Sequence, residues 1–326
     1  MRYDLSKAVY AALGAFAVSA VLCPTLIPFL MKLKVGQYVR DDGPKEHLKK
    51  AGTPTMGGIV IIASFAVASL FFVRHNPDAV AIILVTVACG LMGFWDDYTK
   101  IVRKRSLGLR AWQKIVVQLI ITTAFTVYLY QRSGPNAWEI YIPFTHGQTW
   151  NLGGWYIPLV FIVILGTMNG SNLTDGLDGL NSGVTALISA FFLFAAWAMG
   201  SGSLPLAGAA VGALLGFLLF NSYPAKIMMG DTGSQALGGF VAAIALILRM
   251  PLFLVIVALI YVIESLSVMI QVGVFKLTHK RVFKMAPIHH SFELSGWSET
   301  RVVALFYIIT AIMCLIGYLG GQHIVQ

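Results

Sequence analysis

The sequence predicts an all-α polytopic membrane protein of about ten transmembrane helices, with both termini on the outer side and a short outer β-hairpin. Three observations lead there. Of 326 residues, 57% are hydrophobic and only 11% charged, and the mean hydropathy is +0.78; soluble domains carry roughly 25% charged residues, which build a polar shell that this chain lacks. The apolar residues gather in runs close to the ~20 that a spanning helix needs. The basic residues fall mostly beside every second connection between those runs.

The first run, 8–31, follows Arg2 and Lys7 as a secretory leader would, but it continues to about Met31 with no small-residue cleavage site. It is therefore predicted as a span, kinked at Pro24 and Pro28. Further runs cover 57–73, 79–95, 112–131, 155–171, 182–200, 204–220, 234–249, 251–275 (opened by Pro251) and 301–320. The shorter ones are expected to tilt or to continue into neighbouring segments. Cys23, Cys89 and Cys314 each lie within an apolar run and read as small buried hydrophobes, not as a disulfide set or a metal site. No internal repeat of the kind found in many transporters is evident. The chain reads as one integral membrane domain, 1–326.

The connections after spans one, three, five, seven and nine, with their span ends, carry 6, 6, 0, 1 and 5 basic residues, against 5 for everything else. By the positive-inside rule these connections, about 32–56, 96–111, 172–181, 221–233 and 276–300, are cytoplasmic and both termini face outward. The net charge of +9 then belongs to topology and anionic lipid head groups, and nucleic acid is not an expected partner. On the other side, 134–154 is the only sizeable connection. Its alternation in Glu139-Ile140-Tyr141-Ile142 and the turn residues His146-Gly147-Gln148 predict the hairpin.

Ten of the 14 acidic residues fall on the same odd connections or at the span ends that feed them. Asp96 and Asp97 end the third span, Asp175 and Asp178 follow the fifth in Asn-Leu-Thr-Asp-Gly-Leu-Asp-Gly, and Asp231 follows the seventh in Met-Gly-Asp-Thr-Gly-Ser. One acidic residue at a span end is ordinarily hydrated or caps a helix. Carboxylates bordering three spans on one side are costly, at about 2.5–3.5 kcal/mol each on insertion scales, and point to function. Grouped carboxylates repel one another unless a cation sits among them, and magnesium, with oxygen ligands that include substrate phosphates, fits.

Lys50, Lys100 and Lys114 interleave with the acidic set, and a metal with lysines suits a diphosphate. Arg103, Lys104 and Arg105 read instead as membrane-surface charge. Gly176, Gly179, Gly230 and Gly233 allow close backbone approach to phosphate, although glycine at such junctions also serves capping alone. His289 and His290 lie on the last large cytoplasmic loop; the remaining histidines are scattered, several on the opposite face, so the pair reads as phosphate-binding imidazoles and not as a zinc site. Glu264, inside the ninth span near Ser265, Ser267 and Gln271, reads as a structural, hydrogen-bonded or protonated group.

These motifs, in this order, resemble those of the phospho-N-acetylmuramoyl-pentapeptide translocases, among the polyprenyl-phosphate N-acetylhexosamine-1-phosphate transferases. The carriers are Lys50-Ala-Gly-Thr-Pro-Thr-Met-Gly-Gly, Asp96-Asp97-Tyr98-Thr99-Lys100, Asn172-Leu-Thr-Asp-Gly-Leu-Asp-Gly-Leu180, Asn221 with Met229-Gly-Asp-Thr-Gly-Ser234, and Met285-Ala-Pro-Ile-His-His290. The resemblance implies transfer of phospho-MurNAc-pentapeptide from its UDP carrier to undecaprenyl phosphate, giving lipid I and UMP, with Mg2+, a site facing the cytoplasm of a bacterial plasma membrane, and a homodimer.

It also implies that Asp231 is a metal ligand and, with Asp96, Asp97 and His289, catalytic, and that Asn169, Asn172, Asp175, Asn221 and His290 contact substrate. Lys50, Gly176, Leu177 and Asp178 resemble the uridine-binding set, with Met228 at a further substrate-contact position; Lys100 and Lys114, from their place among the carboxylates, are expected to bind substrate through its phosphates. Two departures stand out. Ser291 occupies the place of a third histidine, and Met228 that of an aromatic residue. The competing readings are a transferase for N-acetylglucosamine phosphate and a cation-coupled transporter; against the latter, the carboxylate cluster lies on one side only.

Overall fold

The computed structural model describes residues 4–32, 52–74, 76–105, 107–133 and 138–324. The described residues are mostly helical. The long helices are α1 (Leu5–Lys32), α2 (Gly58–Leu70), α3 (Pro77–Val102), α4 (Ala111–Ser133), α5 (Tyr156–Thr174), α6 (Leu180–Ala198), α7 (Leu204–Asn221) and α8 (Gly230–Ile247). They are followed by the short α9 (Leu254–Val257), α10 (Leu259–Thr278), the short α11 (Ile288–Glu293) and α12 (Glu299–Gly321). Eight of the described helices are long and apolar enough to cross a membrane. The two other segments that the sequence predicts as spans are α2, at 13 residues, and α8, whose first turn is polar.

α8 is the central post. Every residue from Thr232 to Ile247 is buried, and α3, α5, α2 and α6 pack around it. Small residues make this possible. A Cβ on Gly238 would lie 2.5 Å from Met168 Cα of α5, and one on Gly239 2.6 Å from Cys89 Sγ of α3. The same device joins α7 to α1, where Gly208 and Gly212 lie four residues apart against the carbonyls of Ala8 and Ala12. Close backbone approach through spaced small residues is how helices associate where no hydrophobic drive separates protein from lipid.

Several helices continue past their apolar runs. α3 extends through Asp96, Asp97 and Lys100 to Val102, and α8 begins at Gly230, four residues before the predicted span. Hydropathy marks where a helix leaves apolar surroundings, not where its backbone hydrogen bonding stops. The predicted ninth span, 251–275, is not one helix: a 3-10 turn at Pro251–Phe253 leads to α9, and Ala258 (φ −103, ψ 30) breaks the path before α10.

Two strands, β1 (Glu139–Tyr141) and β2 (Thr149–Asn151), pair antiparallel with Ile140 opposite Trp150. They are tied to the helix ends beside them: Tyr141 N–H donates to Arg249 O at 2.8 Å and Phe144 N–H to Gly320 O at 2.9 Å.

Candidate active site

The extended ends of α3 and α8 build the centre. Asp96 and Asp97, 1% and 3% exposed, ride on the last turns of α3, with Lys100 one turn on. Asp97 caps α8 from outside that helix. Its Oδ2 accepts from Thr232 N–H at 2.9 Å and Thr232 Oγ1 at 2.8 Å, and its Oδ1 from Asp231 N–H at 3.2 Å. A carboxylate on these unpaired N–H groups offsets the positive end of the helix dipole and sets Asp231 beside Asp96. Gly230 makes the entry possible: its φ is +68, and a Cβ there would sit 2.6 Å from Asp97 Oδ2. On the flank, Gly93 of α3 passes so close that a Cβ would be 2.1 Å from Asp231 O.

One ligand atom each from Asp96, Asp97 and Asp231 lie within 4.8 Å of one another. Two ammonium groups hold this charge together. Lys100 Nζ lies 2.8 Å from Asp96 Oδ2, 3.3 Å from Asp97 Oδ1 and 3.0 Å from Asp231 Oδ1. Lys114, from the first turn of α4, is 3.1 Å from Asp96 Oδ1 and 2.7 Å from Asp231 Oδ2. Leu109 N–H donates to Asp96 Oδ1 at 2.7 Å. The three carboxylates form an all-oxygen donor set, which suits a hard divalent cation.

α5 supplies the next residues. Asn172 Nδ2 donates to Asp231 Oδ1 at 3.1 Å and to Ser234 Oγ at 2.9 Å. Asn169, one turn earlier, is exposed and donates to its own helix at Leu165 O. Asp175 terminates α5. Loss of water contact, with the negative charges of Asp231 and Asp97 added, holds its carboxyl well above the ordinary carboxylate range.

The turn that follows is built into the fold. Leu177 is fully buried, so only its backbone is available to a ligand. Asp178 Oδ2 accepts from Ala225 N–H at 2.8 Å, while its own N–H donates to Glu299 Oε1 at 2.6 Å. Asn221 spends both ends of its amide inside the protein, accepting from Ser182 Oγ at 2.7 Å and donating to Ile227 O at 2.9 Å; it braces the segment between α7 and α8. Met228, in that segment, is buried. Gly176 backs onto His289, and His290 pairs through Nδ1 with Glu293 Oε2 at 2.8 Å. Lys50 lies outside the described residues.

Sequence reasoning missed three groups that hold these residues in place, Thr232 and Leu109 on the aspartates and Glu299 on the Asp178 turn, and it read Glu264 as a hydrogen-bonded group without its partner His289. Only Glu264 carried a signal, as a carboxylate within an apolar run.

The sequence model of glycosyl transferase family 4 matches residues 79–249, the stretch from α3 to just past α8 that carries all three aspartates. Phospho-N-acetylmuramoyl-pentapeptide-transferase signature 1 matches residues 50–62. Similar proteins include the phospho-N-acetylmuramoyl-pentapeptide-transferases of Clostridium novyi (strain NT), 49% identical over 97% of this chain and 97% of the relative, and of Clostridium kluyveri, 50% identical over 96% and 99%. That of Acetivibrio thermocellus is 49% identical over 97% and 96%. The chain belongs to the phospho-N-acetylmuramoyl-pentapeptide-transferase family.

The family signature has a structural task at this site. Residues 54–58 line up with the start of α8: Met228 N–H donates to Pro54 O at 2.8 Å, Gly57 N–H to Met228 O at 2.9 Å and Gly58 N–H to Met229 O at 2.9 Å. A Cβ on Gly58 would fall 2.0 Å from Gly233 N. The transferase signature thus fixes the turn that presents Asp231 from a multi-pass membrane scaffold.

Proposed function

We propose that this transferase moves phospho-MurNAc-pentapeptide from UDP-MurNAc-pentapeptide to undecaprenyl phosphate, giving lipid I and UMP, the first membrane step of peptidoglycan synthesis. The observation that carries the reading is the meeting of Asp96, Asp97 and Asp231 with Lys100 and Lys114 at the converging ends of α3, α4 and α8. Phosphoryl transfer asks mainly for positioning and charge stabilisation, and this centre offers both.

In the reaction, an oxygen of the acceptor phosphate attacks the phosphorus that bears the sugar. The bond from that phosphorus to the oxygen of UMP breaks, and UMP leaves with the electron pair. Lys100 and Lys114 bind the diphosphate oxygens. Asp96, whose oxygens meet ammonium groups and the Leu109 N–H, takes the proton of a protonated acceptor phosphate. Asp97 keeps the first turn of α8 in place, and the Asp175-Gly176-Leu177-Asp178 turn, with Met228, Asn169, Asn172 and His290 around it, receives the nucleotide and sugar. Asp231 with its neighbouring carboxylates would hold Mg2+, which would add positive charge beside the diphosphate.

Ten segments cross the bacterial plasma membrane in this reading, with both termini outside, the strand pair on the outer face, the site open to the cytoplasm, and two copies forming a homodimer. Asp231→Asn removes the charge without removing the Asn172 contact. UMP release by the purified variant is expected to fall at least ~100-fold, the scale of losing one transition-state electrostatic contact. Undiminished magnesium-dependent release would refute the metal role. A phospho-enzyme trapped on Asp96 or Asp97 would replace direct transfer with two steps, and offering both UDP-MurNAc-pentapeptide and UDP-GlcNAc decides the donor.

A further inference from the structure

Glu264 lies on α10 and is 0% exposed. A carboxylate sealed from water is costly unless donors satisfy it. It has two, both from the short helix α11: Ile288 N–H donates to Oε2 at 2.9 Å, and His289 Nδ1 lies 3.0 Å from Oε1. The loop leading to α11 is gripped by the same face of α10. Gln271 stands seven residues, two turns, beyond Glu264, and its Oε1 accepts from Val282 N–H at 3.0 Å and Phe283 N–H at 2.9 Å.

The His289 ring is also fully buried, and its second nitrogen, Nε2, meets no hydrogen-bond partner among the described residues. Leaving a buried polar atom unmatched costs about 1–3 kcal/mol. Nε2 faces the Gly176 turn so closely that a Cβ on Gly176 would stand 2.1 Å from it. That turn follows directly on Asp175, which feels the charges of Asp231 and Asp97. The neighbouring His290 ring, 4.1 Å from that of His289, is turned to its own carboxylate on Glu293. His289 therefore presents one free nitrogen, on the side of the turn, and the other is committed to Glu264.

We propose that Glu264 is a positioning residue for the transfer reaction. By taking the Nδ1 proton of His289 as a hydrogen bond, it sets the ring's tautomer and angle and holds Nε2 against the backbone of the Gly176 turn, fixing the shape in which that turn receives the nucleotide of the donor, a uridine phosphate. A carboxylate on one imidazole nitrogen is an established way to fix what the other nitrogen does. This rests on the functional reading above.

The experiment is a double-mutant cycle on the full-length protein with Glu264→Gln, His289→Ala and the pair, reading UMP release with donor and acceptor, UMP binding, and thermal unfolding in detergent. Glu264→Gln keeps the volume but removes the charge and places an amide NH2 against either Ile288 N–H or Nδ1. Each single variant is expected to lose about 10- to 100-fold in kcat/KM for the donor, the scale of misplacing a reacting group by about 1 Å. The pair is expected to be no worse than His289→Ala alone, and UMP affinity to fall in parallel. Losses that multiply in the pair, or Glu264→Gln within twofold of the parent, overturn the proposal. Where Glu264→Gln does not fold, Glu264→Asp, which draws the carboxylate back from Nδ1, is cycled against His289→Ala with the same two outcomes. The parent's UMP release tests the functional reading by itself, and the UMP-binding ratios read the positioning claim whether or not that reading holds.

Discussion

At the scale of residues, the centre divides its carboxylates by task. Asp97 spends its oxygens on the first turn of α8, while Asp96 and Asp231 face the ammonium groups of Lys100 and Lys114. Asp175 stands apart because its carboxyl is held well above its ordinary range. The folded protein thus binds this proton more tightly than the unfolded chain does, so the group's contribution to stability is present at acid pH and is lost as pH rises from the unfolded value of about 3.9 through the folded one. Asp175→Asn keeps the shape without the charge. Its unfolding midpoint is expected to gain on the parent's as pH is raised from 5 to 8, a trend that thermal scans in detergent would read directly; a difference independent of pH would contradict it. The aspartates were legible in the sequence because carboxylates bordering three separate spans on one side cost too much insertion energy to persist without a task. The role of Glu264 was not: it depends on a histidine 25 positions downstream, and nothing in a linear pattern announces that pairing.

At the scale of elements, polar chemistry sits on helix ends that outrun their apolar runs. Sequence patterning placed Asp96 and Asp231 on connections because it reads helices by hydropathy, and the capping of α8 by a residue 135 positions earlier is invisible to it. The contact between α3 and α8 constrains the centre closely, since Gly93 leaves no room for a methyl group against Asp231 O. Gly93→Ala is expected to cost about 1–3 kcal/mol through overpacking. It should also lower UMP release more than thermal stability alone explains, because the clash falls on the backbone of Asp231 itself. Normal activity in a protein with an unchanged unfolding midpoint would show that α3 and α8 yield there. The break at Ala258 was likewise hidden, since an unbroken apolar run reads the same whether one helix or two cross it.

At the scale of the whole molecule, the helical membrane class followed from composition and run length alone, and the arrangement around α8 did not, because it turns on glycines whose neighbours are set by tertiary packing. Sidedness is open to a direct measurement. Gln148, beside β2, and Tyr223, between α7 and α8, are both exposed, whereas Cys23 and Cys89 are buried and Cys314 is partly so. A membrane-impermeant maleimide added to intact cells is expected to label Gln148→Cys and to label Tyr223→Cys only after permeabilisation; the opposite pattern would invert the topology.

The placement of Lys100 and Lys114 has one further consequence. Three carboxylates share two ammonium groups, so the five charges sum to minus one and a divalent ion would compete with Lys100 and Lys114 for the same oxygens. A diphosphate bound as proposed would draw the ammonium groups toward its own oxygens and leave the carboxylates freer to hold a cation. By linkage each guest strengthens the hold on the other by the same factor. In that reading the centre takes cation and diphosphate together. A magnesium titration is expected to show weak binding alone and markedly tighter binding with a uridine diphosphate sugar present, and Lys100→Met should erase much of that difference by leaving the carboxylates open from the start.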